Sequence, residues 1–229
     1  MTTNSSDRAE ALLQLATERY SCRGFLAEPL PRATIDRILA IAQRSPSWCN
    51  SQPWQLTVGS AAATERARRA LLQYVASAGA PQPDLDWPHE YRGVYQQRRR
   101  ECGLQLYQAT GVARGDPQAA NRQRLENFRF FGAPHVAIVT TEAPLGTYGT
   151  IDCGAYVCLF MLAARACGVA SIALAALGAY PAFWREHWGI DPERRIVCGL
   201  AFGHEDPAHP ANGFRTSRAA IADAARWVD

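Results

Sequence analysis

The sequence contains no lysine, so all 24 of its basic residues are arginine. A guanidinium keeps its charge and offers a planar fork of donors that matches phosphate or carboxylate. The formal net charge of +3 and the isoelectric point of about 8.5 are only mildly basic. A nucleic-acid binder needs basic residues gathered on one face, and this total does not indicate one. We therefore predict no nucleic-acid partner.

The sequence also lacks a disulfide pattern and a secretory leader. Its seven cysteines are odd in number, none forms Cys-x-x-Cys, and several stand in apolar runs such as "YVCLFML". Free thiols of this kind are typical of a reducing compartment. The first residues, "MTTNSSDRAEALLQ", show no basic patch followed by an apolar run. We expect a cytoplasmic protein without a signal peptide.

Charge is scarce between Cys153 and Trp184, where Arg165 is the one charged residue. A membrane span needs about 20 apolar residues in one helix. Here Gly168 and Pro181 interrupt the run, so we predict no membrane span. We expect instead a helix that ends near Gly168, followed by a short strand or loop through "VASIAL". A helix so apolar needs more cover than a small monomer offers, which makes it a candidate dimer interface.

The familiar catalytic signatures are missing as well. There is no Gly-x-Gly-x-x-Gly, Walker loop, Gly-x-Ser-x-Gly or His-Glu-x-x-His sequence. The five histidines do not stand at metal-ligand spacing. We therefore predict no metal site and name no catalytic side chain. His135 opens an apolar strand, where a structural histidine with satisfied hydrogen bonds is the favoured interpretation.

The 229 residues suit a single domain, 1–229. Helices and strands mix without strict alternation, which favours an α+β fold. The predicted helices cover 7–18, 31–44, 62–78, 91–113, 117–127, 151–167, 181–187 and 218–227. The predicted strands cover 54–60, 135–142 and 195–203. The loop "GAPQPDLDWPHE" opens a lid-like helical insertion around 79–127.

Three polar clusters stand out in what the sequence does contain: "RYSCRGF", "SPSWCNSQPW" and "HPANGFRTSR". Taken alone, the first is better explained as a surface arginine pair, the second as a polar turn and the third as a solvated tail. Arginine forks in the first and third suit a phosphate. Amides, hydroxyls and aromatic faces in the uncharged second cluster suit a flat heteroaromatic ring. Together they predict a phosphate-bearing heteroaromatic ligand such as FMN.

These blocks resemble the nitroreductase family of FMN-dependent oxidoreductases, in its nitrobenzoate- and nitroaromatic-reductase branch. The similarity runs through "RYSCRGF", "QRSPSWCNSQPWQLTV", "ENFRFFGAPHVAIVTTE", "IDCGAYVCLFMLAARACGVAS" and "HPANGFRTSR" in the family's order. The resemblance implies a three-layer α-β-α sandwich with a mixed or antiparallel sheet. It also implies an interlocked homodimer with FMN at the subunit interface, and NAD(P)H as the electron donor.

The resemblance also implies the residues that contact FMN. The phosphate, ribityl chain and polar ring edge fall to Arg19, Tyr20, Ser21, Arg23, Arg215 and Arg218. The partner subunit contributes Pro46, Ser47, Trp48 and Asn50, while Asn127, Arg129, Leu174 and Ala175 lie near the ring. Leu174 stands where relatives commonly carry glutamine, and His204 where tyrosine is commoner. These departures bear on substrate choice more than on flavin binding.

The implied activity is hydride transfer from NAD(P)H through the flavin to an electron-poor small molecule, such as a nitroaromatic or a quinone. One alternative is a flavin-dependent dehydrogenase or tailoring oxidase acting on a biosynthetic intermediate. Another is a protein without catalysis, binding flavin or using "QQRRRE" to bind nucleic acid. Cys22 and Cys49 stand in flavin-facing segments, where space-filling is favoured over a redox role.

Overall fold

Four strands form one antiparallel sheet in the computed structural model, which describes residues 5–228. The strands are β1 (Gln55–Val58), β2 (His135–Glu142), β3 (Ala170–Leu174) and β4 (Arg194–Gly203), in the order β1-β2-β4-β3. All three pairings are antiparallel, and β2 and β4 shift register between Val139 and Thr140. The predicted α+β class and antiparallel sheet are confirmed.

Seven α-helices surround this sheet in the described part of the chain. They are α1 (Ser5–Glu18), α2 (Arg32–Ala42), α3 (Ala61–Ser77), α4 (Gly93–Ala109), α5 (Pro117–Leu125), α6 (Gly146–Ala166) and α7 (Pro181–Trp188). Capping residues explain where several of these helices begin or end. The Ser60 side chain caps α3 by accepting from the Ala63 amide, and Asp116 caps α5 in the same way. Gly189, at φ 63°, ends α7 in the left-handed region.

Two hydrophobic cores lie on opposite faces of the sheet and define three layers. One core joins α2 and α6 to a sheet face that carries Ala137, Val139, Leu200 and Phe202. The other joins α3 and α7 to the face that carries Val136, Ile138, Ile172 and Ala201. Alternate residues of β2 thus enter different cores, which explains why almost the whole strand is buried. The predicted three-layer sandwich is confirmed.

Two sequence expectations differ from the structure. The predicted helix at 218–227 is wrong, because this tail forms only a short 3₁₀ turn at Ile221–Asp223. Its apolar residues lie in solvent, and a short alanine-rich segment without packing is a marginal helix. Helix α6 begins at Gly146, earlier than expected, directly after a 3₁₀ turn at Ala143–Leu145. The run "VASIAL" contains strand β3.

Helix α6 is the most apolar helix that the structure describes. With the turn before it, Ala143–Ala166 is long and apolar enough to cross a membrane, by length and composition alone. Core helices of folded domains pass the same test, and α6 packs on α2 and the sheet. Its outward face keeps Tyr148 and Ile151 55% and 58% exposed. This face is apolar surface that a single chain leaves uncovered.

Trp184 lies at the centre of the core between α3, α7 and the sheet. Its side chain is fully buried, and Nε1 donates to the Leu177 carbonyl at 2.7 Å. Trp184→Ala is expected to lower the free energy of unfolding by about 3–5 kcal/mol, because it leaves a cavity and an unpaired carbonyl. Urea denaturation followed by circular dichroism measures the change. The same substitution at Trp227, which is 87% exposed, is the control. Equal losses of unfolding free energy in the two variants would contradict a central role of Trp184 in the core.

His135 is held as a neutral ring between two backbone groups. Its Nε2 accepts from the Leu30 amide at 3.0 Å, and Nδ1 lies 3.2 Å from the Gly59 carbonyl oxygen. Burial lowers the pKa of His135 below its ordinary value of 6.5. The side chain is thus structural, as its position in the sequence predicts.

A falling pH should therefore destabilise the protein through His135. Above pH 6.5 the histidine is neutral in both states; below it, the unfolded chain binds a proton that the folded chain does not. The free energy of unfolding should fall between pH 7 and 5, and less steeply in His135→Gln. Denaturant midpoints across that range test this, with exposed His89→Gln as the control. Parallel pH profiles for wild type and His135→Gln would show that other groups set the slope.

Candidate functional site

A cavity of about 450 Å³ lies between the end of α1 and the segment that follows β4. This volume is in the range of small-molecule and cofactor sites. The first and third polar clusters meet here, and the predicted residues that line it are Arg19, Tyr20, Ser21, Arg23, Arg215 and Arg218. Residues about 190 positions apart in the sequence thus share one wall.

Asn212 ties the two segments of the cavity together. Its Oδ1 accepts from the Arg23 amide at 2.8 Å, and its Nδ2 donates to the Gly24 and Asp206 carbonyls. Gly24 is required beside it, because a Cβ there would clash with the ring of His209. The first segment is also anchored to the sheet, where the Cys22 amide donates to the Ser171 carbonyl. The backbone that presents the arginines is therefore firmly positioned.

Tyr20 and Arg215 pack against each other at the cavity. The Arg215 guanidinium carbon lies 3.6 Å from the centre of the Tyr20 ring, a cation–π contact. The Tyr20 hydroxyl donates to the Glu205 carboxylate at 2.6 Å. Burial, together with this hydrogen bond, raises the pKa of Tyr20 above its usual range. Tyr20 is therefore a neutral support for the guanidinium of Arg215.

The cavity is strongly electropositive. Its lining contains Arg19, Arg23, Arg215 and Arg218 but neither aspartate nor glutamate. Within residues 5–228, the side-chain hydrogen bonds of Arg23, Arg215 and Arg218 go to backbone carbonyls or to the Thr216 hydroxyl. Burial lowers the pKa of Arg23, which reflects the cost of holding its charge there. Such a donor set, with few competing carboxylates, fits a phosphate.

The uncharged second cluster lies elsewhere, beside the start of α6. The Trp48 amide donates to the Asp152 carboxylate, and its ring meets Tyr148 edge-on at 4.1 Å. Pro46, Ser47 and Asn50 are likewise outside the lining of the cavity. Cys49, Asn50 and Gln52 have φ of 52°, 54° and 48°, in the left-handed region. Non-glycine residues in this region cluster at functional sites, where the fold holds the strain.

The remaining predicted residues also lie outside the cavity lining. Asn127 donates to the Arg124 carbonyl, and Arg129 pairs with Glu126 at 3.2 Å. Leu174 is buried at the end of β3, and Ala175 after it is exposed. In one chain, therefore, the structure brings together only the first and third clusters of the predicted site.

Sequence reasoning missed one residue of the cavity lining, Cys102 of α4. Nothing in the sequence around Cys102 signals its position. Asn212 stands in the third polar cluster, but its role as the tie between the two segments was not predicted. Cys22 is fully buried, with a thiol donating to the Gly24 carbonyl and a pKa raised by burial. A buried, protonated thiol fills space, while Cys49 is exposed.

The comparisons with known proteins agree with the fold. The model of the nitroreductase family matches residues 16–204, so the chain belongs to that family. Nitroreductase NfnB of Mycolicibacterium smegmatis is 34% identical over 96% of this chain and 94% of its own. A 4-nitrobenzoate reductase of a Nocardioides species is 34% identical over 91% of this chain and 86% of its own.

Solved structures give the same result. The FMN-dependent nitroreductase NfnB of Mycobacterium smegmatis, crystallised with NADPH, has a TM-score of 0.92 at 32% identity, covering 97% of this chain and 100% of its own. An FMN- and NADPH-dependent NfnB from a Sphigopyxis strain has a TM-score of 0.88 at 31% identity, covering 95% and 99%. The family resemblance found in the sequence is confirmed.

Proposed function

We propose that this protein is an FMN-dependent oxidoreductase that takes electrons from NAD(P)H and reduces an electron-poor small molecule such as a nitroaromatic. The observation that carries the proposal is the arginine-lined cavity, in a chain whose relatives are named as nitroreductases. FMN, when bound, supplies the redox chemistry, accepting hydride from the nicotinamide and passing electrons to the acceptor. The same proposal covers quinone acceptors, whereas the dehydrogenase or tailoring-oxidase alternative takes electrons from a biosynthetic intermediate, with oxygen as the acceptor.

The side chains of the cavity fit an FMN phosphate tail. Arg19, Arg215 and Arg218 supply guanidinium donors for the phosphate, and Ser21 supplies a hydroxyl for the phosphate or ribityl chain. Arg23, partly buried beside them, holds a positive charge for the polar edge of the ring. A fixed charge there stabilises negative charge that develops on reduction. The protein's part in catalysis is thus to bind, orient and stabilise charge, without a catalytic acid or base.

We infer a homodimer with the cofactor at the subunit interface. The support is the second cluster, whose Trp48 is 55% exposed beside the uncovered face of α6. Pairing two α6 faces covers this surface and carries Pro46, Ser47, Trp48 and Asn50 toward the cavity of the other subunit. Ala175 lies past the end of β3, up to about 13 Å along the chain from Ser171, which bridges to Ser21. This strand therefore leads from the cavity toward the place proposed for the flavin ring. Asn127 and Arg129 are proposed to lie at the edge of that ring.

The insertion at 79–127 is proposed as a lid over this site, within a single domain of residues 1–229. No described residue of α4 or α5 is buried, while Cys102 of α4 touches the cavity. Asp84 anchors the start of the insertion, accepting from Arg185 and from the Ile196 amide, each at 2.8 Å. The anchored base and exposed helices suit a cover that adapts to different acceptors. The seven free cysteines support a cytoplasmic location.

The test is the absorbance spectrum of the purified protein, followed by an anaerobic titration. We expect a yellow protein whose flavin bands are bleached by NADPH or NADH and restored by 4-nitrobenzoate without air. Restoration by oxygen but not by the nitroaromatic would favour the oxidase alternative. Colourless protein that does not bind added FMN would overturn the proposal.

A further inference from the structure

Three consecutive arginines, Arg98, Arg99 and Arg100, lie on the exposed N-terminal half of α4. Among residues 5–228, no carboxylate pairs with any of them. Arg99 packs over the ring of Tyr91 at 5.2 Å. The proposed cofactor site does not use this group, so its positive charge is available to another anion.

The helix places two of these arginines on the same face as the cavity residue Cys102. At about 100° per residue, Arg98 and Arg99 lie one turn before Cys102, and Tyr95 lies two turns before it. Arg100 falls on the far side of the helix. Arg98 is about 6 Å along the axis from Cys102. A ligand that extends out of the cavity along α4 thus meets Arg98, Arg99 and the ring of Tyr95, which is 66% exposed.

We propose that Arg98 and Arg99 bind the 2′-phosphate of NADPH and that Tyr95 stacks on its adenine, so that the enzyme prefers NADPH to NADH. This inference rests on the proposed oxidoreductase function. A guanidinium fork is the side chain that suits a 2′-phosphate, and the flat ring of tyrosine suits a purine. The arginines of the cavity are assigned to the FMN phosphate, so a second phosphate needs a second cationic group. NADH lacks that phosphate and therefore cannot make this contact with Arg98 and Arg99.

The experiment compares Arg98→Gln/Arg99→Gln with wild type in anaerobic stopped-flow reduction of the bound flavin. The apparent Kd of NADPH should rise about 10- to 100-fold, the range expected when charge-assisted hydrogen bonds are lost. The Kd of NADH should stay within about twofold. Adenosine 2′,5′-bisphosphate should compete with NADPH in wild type and lose potency in the double variant. Arg100→Gln removes one charge from the opposite face, is the matched control for the single variants Arg98→Gln and Arg99→Gln, and should change the Kd of neither donor.

The possible results distinguish the inference about NADPH from its alternatives and from a failure of the proposed function. Unchanged NADPH kinetics, or equal weakening of both donors, would overturn the inference while leaving a flavin enzyme in place. An equal effect of Arg100→Gln would reduce it to general electrostatic attraction. Salt-sensitive binding of a DNA duplex, lost in the double variant with NADPH kinetics unchanged, would assign the arginines to nucleic acid. Wild-type protein without reducible flavin would remove the proposed function itself. The single variants Arg98→Gln and Arg99→Gln replace the double variant if its bound-flavin spectrum shows misfolding.

Discussion

Changing Arg215 and Arg218 together to glutamine should weaken FMN binding by about 100-fold or more. Both side chains line the cavity, and neither has a carboxylate partner in the described part of the chain. A hydrogen bond to a charged group contributes about 1.5–3 kcal/mol, and 1.4 kcal/mol is a factor of ten in affinity. The two factors by which the substitutions weaken FMN affinity multiply. Titration of apoprotein with FMN, followed by quenching of flavin fluorescence, gives the ratio directly.

A control with the same change of charge separates the phosphate contact from general electrostatics. Arg66 and Arg69 lie exposed on α3, and Arg69 pairs with the half-exposed Glu65 at 3.3 Å. Their conversion to glutamine should leave the FMN affinity within about twofold, since exposed ion pairs contribute little. Equal affinities for the two double variants would show that Arg215 and Arg218 do not bind the phosphate.

Ile151→Arg should convert the proposed dimer to a monomer of 25.1 kDa and remove most of the bound FMN. Ile151 is 58% exposed in the single chain, on the apolar face of α6 next to Tyr148. In a symmetric interface this change places two guanidinium groups in apolar surroundings without partners, and such burial is costly. Light scattering coupled to gel filtration measures the mass, and absorbance measures the flavin content.

The matched control is Ala62→Arg, at an exposed position of α3 on the other side of the sheet. It adds the same charge and should leave the dimer and its flavin intact. Circular dichroism should show that both variants keep their helices. If wild-type protein already has the mass of one chain, or if Ile151→Arg keeps the wild-type mass, the interface is not on α6.

The strands and most helices were predictable because their patterns reflect burial. Strand β2 reads "HVAIVTTE", a run with apolar residues for both faces, and the structure buries both. The tail at 218–227 shows where this reasoning fails. Its alanines favour a helix locally, but Ile221 and Trp227 find no core in the described chain, and propensity alone does not hold ten residues. The early start of α6 is hidden by its glycines and threonines, which are poor helix formers.

The candidate site was predictable where its residues stand close together in the sequence. Arg19, Ser21 and Arg23 alternate along one extended segment, and Arg215 and Arg218 were identified from a similar block. Cys102 was not, because only the packing of α4 against the turn at Pro210–Asn212 brings it to the cavity. The residues from Pro46 to Asn50 illustrate another limit. Their predicted role depends on a second copy of the chain, and the sequence of one chain does not show where that copy lies.

The hydrogen bonds of Asn212 have a consequence for how the protein is made. They join residues 23 and 24 to residue 212, which lies almost 190 positions later in the chain. Because a chain emerges from the ribosome N-terminal end first, one wall of the cavity is made well before the other. A cofactor that needs both walls therefore binds only after the second segment has been synthesised, and its retention reports on molecules in which the two segments have come together.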